Sequence, residues 1–414
     1  MSRKTEIRIE AGARNGRAGV KRAGAASADG LPDAAQGGPA ARIKTVDLLR
    51  GFALVGILLV NARVLGGVPE APATGWSVDR LAALAVGTLA ETKFYLLFCF
   101  LFGYSTALLA RGSRELRKTR TARYVRRLAA LSLLGAAHGV LLFVGDILLT
   151  YAVLGLLLYP LHRLRPRTLL LLGCGLLALF SLFMGAFGAY TLAAGPVTPD
   201  PTAEAALAEL AARYQGGPVG TIEANLGQLP RFAVGSLLFA PHILAGMVLG
   251  LAAGKAGLLE RRYAPARLYG LAAVGALIGL PGSVFMAVCA YGPLPDQWFV
   301  LGKAVGVLTA PALTGAYVCL LLALSASGRG TRAGALFAAA GRLSLTHYLA
   351  QSVLLCLVFT GYGLGWYGRV GGAAVLAGGV LLLVLQLGLS PALAARFRRG
   401  PAEALVRRVS VGRG

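Results

Sequence analysis

The chain has few charged residues. Only 14% of its 414 residues are Asp, Glu, Lys or Arg, and 56% are hydrophobic. An ordinary soluble domain carries about 25% charged residues. Apolar runs longer than about 18 residues recur along most of the length, and each is long enough to cross a hydrocarbon layer roughly 30 Å thick. The composition excludes a soluble globular protein and predicts an all-α, polytopic membrane protein whose first partner is the lipid bilayer.

Cysteine and histidine are also scarce. The five cysteines lie inside apolar runs and form no C-x-x-C pair, which is typical of membrane-core residues rather than of disulfides or metal ligands. The four histidines form no H-E-x-x-H pattern, and the chain has no P-loop. We therefore predict no metal site and no tightly bound cofactor.

The net charge of +24 comes from 41 Lys and Arg against 17 Asp and Glu. A nucleic-acid-binding protein gathers such charge on one face of a soluble domain. Here the charge lies in short loops between apolar segments, so a nucleic-acid partner is not expected. Anionic lipids are the expected partners of these basic loops and of the basic N-terminal tail.

The sequence divides into a tail, an apolar domain and a second tail. Residues 1–41 lack apolar clusters and predict a disordered, basic cytoplasmic tail. Residues 42–394 form the predicted transmembrane domain, and residues 395–414 a basic cytoplasmic tail. We predict about ten spans, at residues 47–66, 93–110, 128–145, 147–161, 168–194, 232–254, 267–291, 298–325, 335–359 and 370–394.

Orientation follows from the basic loops, because Lys and Arg concentrate on the cytoplasmic side. With both termini cytoplasmic, seven of the 41 basic residues fall at outer ends, namely Arg63, Arg80, Lys93, Arg213, Arg231, Lys303 and Arg369. The longest outer connection contains the helix-like stretch AEAALAELAARY. It predicts either an amphipathic lid on the outer surface or a solvated loop helix.

Ionisable residues inside a membrane usually face a cavity or a partner, because inserting one costs about 2.5 to 3.5 kcal/mol. In the first span, Asp47 and Arg50 are three residues apart on one helix face and can pair. Asn61 lies almost three turns beyond Arg50 on the same stripe. The stripe predicts substrate-binding residues. Alternatively, Arg50 reaches the lipid headgroups and Asn61 bonds a neighbouring helix.

Two histidines are candidate catalytic residues. His138 lies in mid-membrane, and Asp146 lies about two turns further out, where a carboxylate can orient an imidazole that takes up a proton. In the ninth span, His347 shares a face with Ser344 and Gln351, whereas Arg342 and Thr346 lie nearly opposite. Each histidine can instead simply bond an adjacent helix. His242 follows a proline and is interpreted as structural.

Glu91 and Lys93 lie at the outer end of the second span, in ETKFYLLFCFLFG. They predict a pore mouth that contacts substrate. The alternative is an ordinary pair of interfacial anchors.

The polar segments carry a combination of motifs. These are D-x-L-R-G-F-A-L-x-G-I-L-x-V-N at 47–61, E-x-K-F with L-F-G at 91–103, H-G with G-D-I-L-L-x-Y-A at 138–152, G-R-L-S-L-T-x-Y-x-x-Q-S at 341–352, G-x-G-L-G at 361–365 and R-F-R-R-G-P-x-E at 396–403. The combination resembles the YeiB-like multi-pass bacterial proteins, a domain-of-unknown-function 418 family whose C-terminal part corresponds to about residues 235–410. The resemblance implies a location in the bacterial plasma membrane. Ala392 and Ala404 stand where that family usually has tryptophan.

The YeiB-like family in turn resembles transmembrane acyltransferases, which transfer acyl groups from cytosolic acyl-CoA to acceptors across the membrane. In that larger group the first helix carries Arg, ten residues, then His. Arg50 matches, but Asn61 replaces the histidine, and an amide is not a general base at neutral pH. His138 is then the first candidate for the base, and His347 the second.

Two functional hypotheses follow. In the first, the protein binds acyl-CoA as co-substrate through Arg50, and transfers the acyl group to a carbohydrate or lipid hydroxyl. In the second, it is a proton-coupled transporter or exporter of a small molecule or lipid precursor, with Asp47, Arg50, His138 and His347 in the cavity and His138 and Asp146 as titrating groups.

Overall fold

The computed structural model describes residues 39–68, 75–111, 117–196, 201–397 and 399–411. Within these ranges the chain forms helices and no strand. The helices are α1 (Pro39–Leu65), α2 (Val78–Leu89), α3 (Lys93–Arg111), α4 (Arg117–Leu141), α5 (Leu148–Leu161), α6 (Pro166–Ala194), α7 (Pro201–Gln215), α8 (Pro218–Ala256), α9 (Pro265–Tyr291), α10 (Phe299–Ala326), α11 (Thr331–Arg342), α12 (Ser344–Phe359), α13 (Gly372–Arg396) and α14 (Pro401–Val411). The predicted N-terminal tail lies outside the described residues, apart from residues 39–41, which begin α1.

The all-α prediction is confirmed, whereas the count of ten spans is not. In the described part of the chain, seven helical segments are long and apolar enough to cross a membrane, or eight if α11 and α12 are taken as one bent span. The helix α5 has 14 residues and is about 21 Å long, too short to cross alone. The helix α4 begins with a strongly basic sequence, RKTRTARYVRR, so only its second half is apolar.

The predicted ninth span is broken. The helices α11 and α12 meet at an angle of 82°, with Leu343 between them at φ −112° and ψ 24°. Arg342 therefore ends one helix, and Thr346 lies in the first turn of the next. The prediction that both lie on one face of a continuous helix is wrong, because the backbone turns between them.

Glycines allow the closest helix contacts. At the crossing of α1 and α11, a Cβ atom on Gly51 would overlap the carbonyl oxygen of Phe337, and one on Gly341 would overlap that of Asp47. At the crossing of α3 and α8, Gly103 and Gly250 likewise lie against backbone carbonyl oxygens of the partner helix. Small residues let helix backbones approach within a membrane, where packing replaces the hydrophobic effect as the driving force.

The C-terminal segment, predicted as a basic tail over residues 395–414, contains a packed helix. The helix α14 contacts α4 and α12. Arg126 Nε donates a hydrogen bond to the carbonyl oxygen of Ser410 at 3.2 Å. The described part of this segment is therefore packed against the helical domain rather than a free tail.

The helix predicted in the longest connection is α7. Its last turn is attached to the domain, because the Tyr214 carbonyl accepts a hydrogen bond from Gly361 N at 2.6 Å and the Tyr214 ring stacks on Tyr367 at 4.5 Å. Burial raises the pKa of the Tyr214 phenol, so the hydroxyl stays protonated and donates to Asn225 Oδ1 at 2.9 Å. The lid role remains a prediction.

Candidate functional site: two adjoining cavities

One cavity has a volume of about 590 Å³, and we call it the arginine cavity. Part of its lining is apolar and includes Leu131, Leu148 and Tyr151. In the described part of the chain, seven arginines and one glutamate, Glu403, line it. The arginines are Arg50, Arg120, Arg123, Arg127, Arg342, Arg399 and Arg407. A cavity with an apolar interior and many cations fits an amphiphile that carries several negative charges.

Arg50 and Arg127 are half-buried members of this cationic lining. Arg50 Nη2 donates to Ser105 Oγ at 2.6 Å, and Arg50 Nη1 pairs with Asp47 Oδ1 at 3.4 Å. Arg127 lies over the ring of Phe102 at 5.5 Å, and its Nη1 atom is buried without a hydrogen-bond partner among the described residues. The guanidinium groups of Arg50 and Arg127 are close enough for their like charges to repel each other. A buried guanidinium nitrogen without a hydrogen-bond partner is costly, so Arg127 favours an anionic ligand beside it.

A second cavity of about 170 Å³ lies next to the first, and we call it the small chamber. Among the described residues, its lining contains no Lys or Arg. The polar lining residues are Asn61, Thr92, Asp146, Thr150, Ser236 and Tyr348, and the aromatic ones include Phe94, Tyr95 and Phe232. The amide of Asn61 makes no hydrogen bond to any described residue. It is therefore available to a molecule in the chamber.

The backbone of the chamber wall is strained at Thr92. This residue joins α2 to α3 at φ 66°, a left-handed conformation that is rare for a non-glycine residue. Such strain often accompanies functional sites. It turns the chain sharply between Ala90 and Phe94, which both line the chamber.

The two cavities share three lining residues, Ile57, Ile147 and Tyr348. These come from α1, from the turn before α5 and from α12. Tyr348 is 4% exposed, and its hydroxyl donates to Asp146 Oδ1 at 3.2 Å. These three side chains form the partition between an anion-binding space and a smaller polar one.

His138 and Asp146, which the sequence predicted as catalytic, form a direct pair beside this partition. His138 Nδ1 lies 2.9 Å from Asp146 Oδ1, and the two side chains are 1% and 3% exposed. Asp146 Oδ2 accepts a hydrogen bond from Leu149 N at 3.0 Å. His138 Nε2 is buried with no partner among the described residues. Asp146 lines the small chamber, whereas His138 lies behind it and lines neither cavity.

Two glycines of α4 leave room for the carboxylate. A Cβ atom on Gly135 would lie 2.6 Å from Asp146 Oδ2 and 2.5 Å from Leu149 N, and one on Gly139 would lie 3.8 Å from Asp146 Cβ. The contact at Gly139 is an ordinary van der Waals contact with a side chain. The tighter constraint is at Gly135, one turn earlier on the same face.

The second candidate histidine lies in a different environment. His347 Nε2 is bonded to Ser390 Oγ at 3.0 Å, and Gln351 Nε2 donates to Gln386 Oε1 at 2.8 Å. These bonds join α12 to α13, and neither His347 nor Gln351 lines the two cavities. Interhelical bonds of this kind stabilise membrane helix packing.

Thr346 and Arg342 are also bonded within the protein. Glu403 Oε1 accepts hydrogen bonds from Leu345 N at 2.7 Å and Thr346 N at 3.2 Å, and Thr346 Oγ1 donates to Glu403 Oε2 at 2.6 Å. A carboxylate at this position caps the first turn of α12. Arg342 Nη2 donates to the Ala394 carbonyl at 3.0 Å while the side chain lines the arginine cavity.

Glu91 and Lys93 belong to a separate buried cluster. Glu91 Oε1 accepts from Tyr291 at 3.0 Å and pairs with Lys303 at 3.2 Å, and the Arg63 guanidinium lies 4.4 Å from the Tyr291 ring centre. Lys93 is fully buried and donates to the Gly87 carbonyl at 2.9 Å. The cluster holds the junction of α2 and α3 against α9 and α10. Neither residue lines the two cavities.

Several residues of the site were not singled out from the sequence. Tyr348 was part of the motif at 341–352 but was not assigned a role. Its position between the cavities depends on the break before α12. Arg120, Arg123 and Arg127 did carry a signal, because spacings of three and four residues place them on one face of α4. That spacing distinguishes a directed cationic face from an ordinary basic loop.

The fold and the two cavities define a polytopic helical membrane protein with a cationic site. Comparison with known proteins shows which family the chain resembles. Residues 253–413 match the family described as protein of unknown function (DUF418). The chain is 29% identical over 391 residues to the uncharacterized protein YxaH of Bacillus subtilis (strain 168), covering 88% of this chain and 93% of the relative.

A second relative is the uncharacterized protein YeiB of Escherichia coli (strain K12), 29% identical over 396 residues, covering 89% of this chain and 96% of the relative. A third, an uncharacterized 39.9 kDa protein of Bacillus acidopullulyticus, is 29% identical over 317 residues and covers 76% of this chain and 79% of its own. The matches support a YeiB-like DUF418 protein, and they confirm the family resemblance that the motifs predicted. The relatives are bacterial.

Proposed function

We propose that this protein is a membrane acyltransferase that takes an acyl group from a cytosolic acyl-CoA and transfers it to a carbohydrate or lipid hydroxyl. The observation that carries the proposal is that Ile57, Ile147 and Tyr348 separate two cavities of different chemistry. The arginine cavity is cationic, whereas the small chamber has one carboxylate and no described Lys or Arg. Such an arrangement suits a reaction between an anionic donor and a second substrate that enters from the other side.

The arginine cavity is the proposed donor site. The phosphates of acyl-CoA bind the guanidinium groups, which form charge-assisted hydrogen bonds with phosphate oxygens. The thioester then reaches the partition through the apolar part of the cavity. We expect this cavity to open to the cytoplasm, in a bacterial plasma membrane with both termini cytoplasmic, because basic loops concentrate on the cytoplasmic side.

The small chamber is the proposed acceptor site. Asp146 takes the proton from the acceptor hydroxyl, because its carboxylate lines the chamber and His138 lies behind it. The hydroxyl oxygen attacks the thioester carbonyl, the carbon–sulfur bond breaks, and the thiolate receives the proton from Asp146. Asn61 donates a hydrogen bond to the carbonyl oxygen, where negative charge develops. This role needs a donor rather than a base, so the amide suits it.

His138 is then a positioning residue that holds Asp146 through its Nδ1 atom. The test uses the full-length protein in nanodiscs, with acyl-CoA and a panel of hydroxyl acceptors, and measures release of free CoA thiol. We expect Asp146→Asn to lower kcat by about 100-fold or more, with the KM for acyl-CoA little changed. His138→Asn keeps a donor near the Nδ1 position and should retain more activity than His138→Ala, with an altered pH profile.

A structural role for His138 alone predicts equal losses in both variants and an unchanged pH profile. If wild-type protein neither binds nor cleaves any acyl-CoA of the panel, the transferase proposal is wrong.

The second candidate function is transport of a small molecule or lipid precursor. The specific observation in its favour is the same partition, because two cavities separated by three side chains also fit a gated pathway. In this function, His138 and Asp146 would carry the protons that are coupled to flux. Solute flux in proteoliposomes that depends on a pH gradient, without any thioester cleavage, would favour this function over acyl transfer.

A further inference from the structure

The two cavities differ in volume. The geometry of a bound thioester relates this difference to the length of the acyl chain. In a thioester, the sulfur and the acyl chain lie on opposite sides of the carbonyl carbon. If the CoA portion fills the arginine cavity and the carbonyl lies beside Asp146, the acyl chain projects past Ile57, Ile147 and Tyr348. It therefore enters the small chamber.

The small chamber limits the length of that chain. Its volume is about 170 Å³, against about 590 Å³ for the arginine cavity. A cavity of roughly 150 Å³ in a protein interior accepts benzene, which has six carbons. The acceptor hydroxyl must enter the same space. The aromatic side chains Phe94, Tyr95 and Phe232 line the wall, and rings packed in a wall yield little without strain.

We propose that the donors are short-chain acyl-CoA thioesters, with acyl groups of about six carbons or fewer, and that Phe232 is a determinant of this limit. The inference rests on the proposed acyltransferase function. Phe232 belongs to α8 and lines the chamber from a different helix than the proposed reacting groups. Its truncation therefore enlarges the chamber without removing a residue assigned to the chemistry.

The experiment measures initial rates of thiol release in nanodiscs with acetyl-, butyryl-, hexanoyl-, octanoyl- and palmitoyl-CoA. For wild-type protein we expect a fall of at least about tenfold in kcat/KM between hexanoyl and octanoyl donors. Phe232→Ala should move this fall to longer chains. Phe187→Ala is the matched control, because Phe187 is exposed on α6 and lines neither cavity, and its profile should equal that of the wild type.

The outcomes separate the two proposals. Binding and cleavage of palmitoyl-CoA as efficiently as acetyl-CoA would overturn the length limit and leave the acyltransferase function standing. Lack of cleavage with every donor would overturn the acyltransferase function, and the length limit with it. If Phe232→Ala fails to fold, Val60→Ala offers a second enlargement of the same wall. An unchanged chain-length profile in a folded chamber variant would refute the role of the wall.

Discussion

The arginine cavity and the small chamber share three residues but have opposite chemistry. One is lined by seven arginines of the described chain, and the other has a carboxylate and hydroxyl groups but no described cation. Charge in a membrane protein is costly to bury, so the concentration of cations on one side of a thin partition is a strong constraint. The contrast indicates two different ligands, one anionic and one neutral or cationic.

The two cavities are also built from different parts of the chain. The helices α4 and α14 supply most of the arginines. The polar groups of the chamber come from α1, the α2–α3 junction, the turn before α5, and the helices α5, α8 and α12. Tyr348 of α12 belongs to both. Substitutions can therefore weaken one cavity and leave the other intact, which makes the comparison testable.

The largest expected effect is on donor binding. Removing Arg50 or Arg127 deletes charge-assisted hydrogen bonds to phosphate, each contributing about 1.5 to 3 kcal/mol, which corresponds to roughly a tenfold to 100-fold weaker Kd. Equilibrium binding of CoA to Arg50→Ala and Arg127→Ala in nanodiscs measures this. Arg262→Ala is the matched control, because Arg262 is exposed and lines neither cavity. Equal affinity in all four proteins would contradict the assignment of an anion to the arginine cavity.

The second effect is confined to the chamber. Gly135→Ala puts a methyl group 2.6 Å from Asp146 Oδ2 and forces the carboxylate to move. Overpacking of this kind costs about 1 to 3 kcal/mol, and we expect thioester cleavage to fall by about tenfold or more while CoA binding is kept.

Gly175→Ala is the matched control for that variant, because a Cβ atom at Gly175 meets nothing within 4 Å. Binding and cleavage that decline in parallel in Gly135→Ala would show that the two cavities do not act separately.

The third effect concerns the link between the cavities. Glu403 joins α14, a wall of the arginine cavity, to the first turn of α12, which carries Tyr348. Glu403→Gln weakens these hydrogen bonds and should destabilise the protein by about 1 kcal/mol. A lower midpoint of thermal unfolding in detergent is the expected readout. Glu209→Gln, which removes an exposed ion pair with Arg213, should shift the midpoint little.

The all-α class could be predicted from the sequence because apolar length is a local property, whereas the count of ten spans was not confirmed. It predicted the pair of His138 and Asp146 as candidates for the same reason: the two residues are eight apart, across one turn. It could not separate His138 from His347. The environment of His347 is decided by Ser390, which is 43 residues away in sequence and on another helix.

The break before α12 also could not be predicted from the sequence. The segment GRLSL contains no proline, and its apolar pattern continues through the bend. The free backbone groups of the new helix start are satisfied by Glu403, 58 residues beyond Leu345. A partner at such a distance leaves no local signal, so the position of Tyr348 between the cavities followed only from the fold.

The smallest expected effect comes from salt, and it tests the charge contrast directly. Screening weakens partly exposed charge pairs, with a Debye length of about 10 Å at 0.1 M and 3 Å at 1 M salt. The affinity for CoA should therefore fall severalfold between these ionic strengths, because lining arginines such as Arg399 and Arg407 are exposed to solvent ions.

In the same titration, the KM for a neutral hydroxyl acceptor should stay constant, since the chamber has no described cation to screen. A salt-independent affinity for CoA would mean that its phosphates do not contact these arginines. The contrast between the two cavities would then be one of size alone.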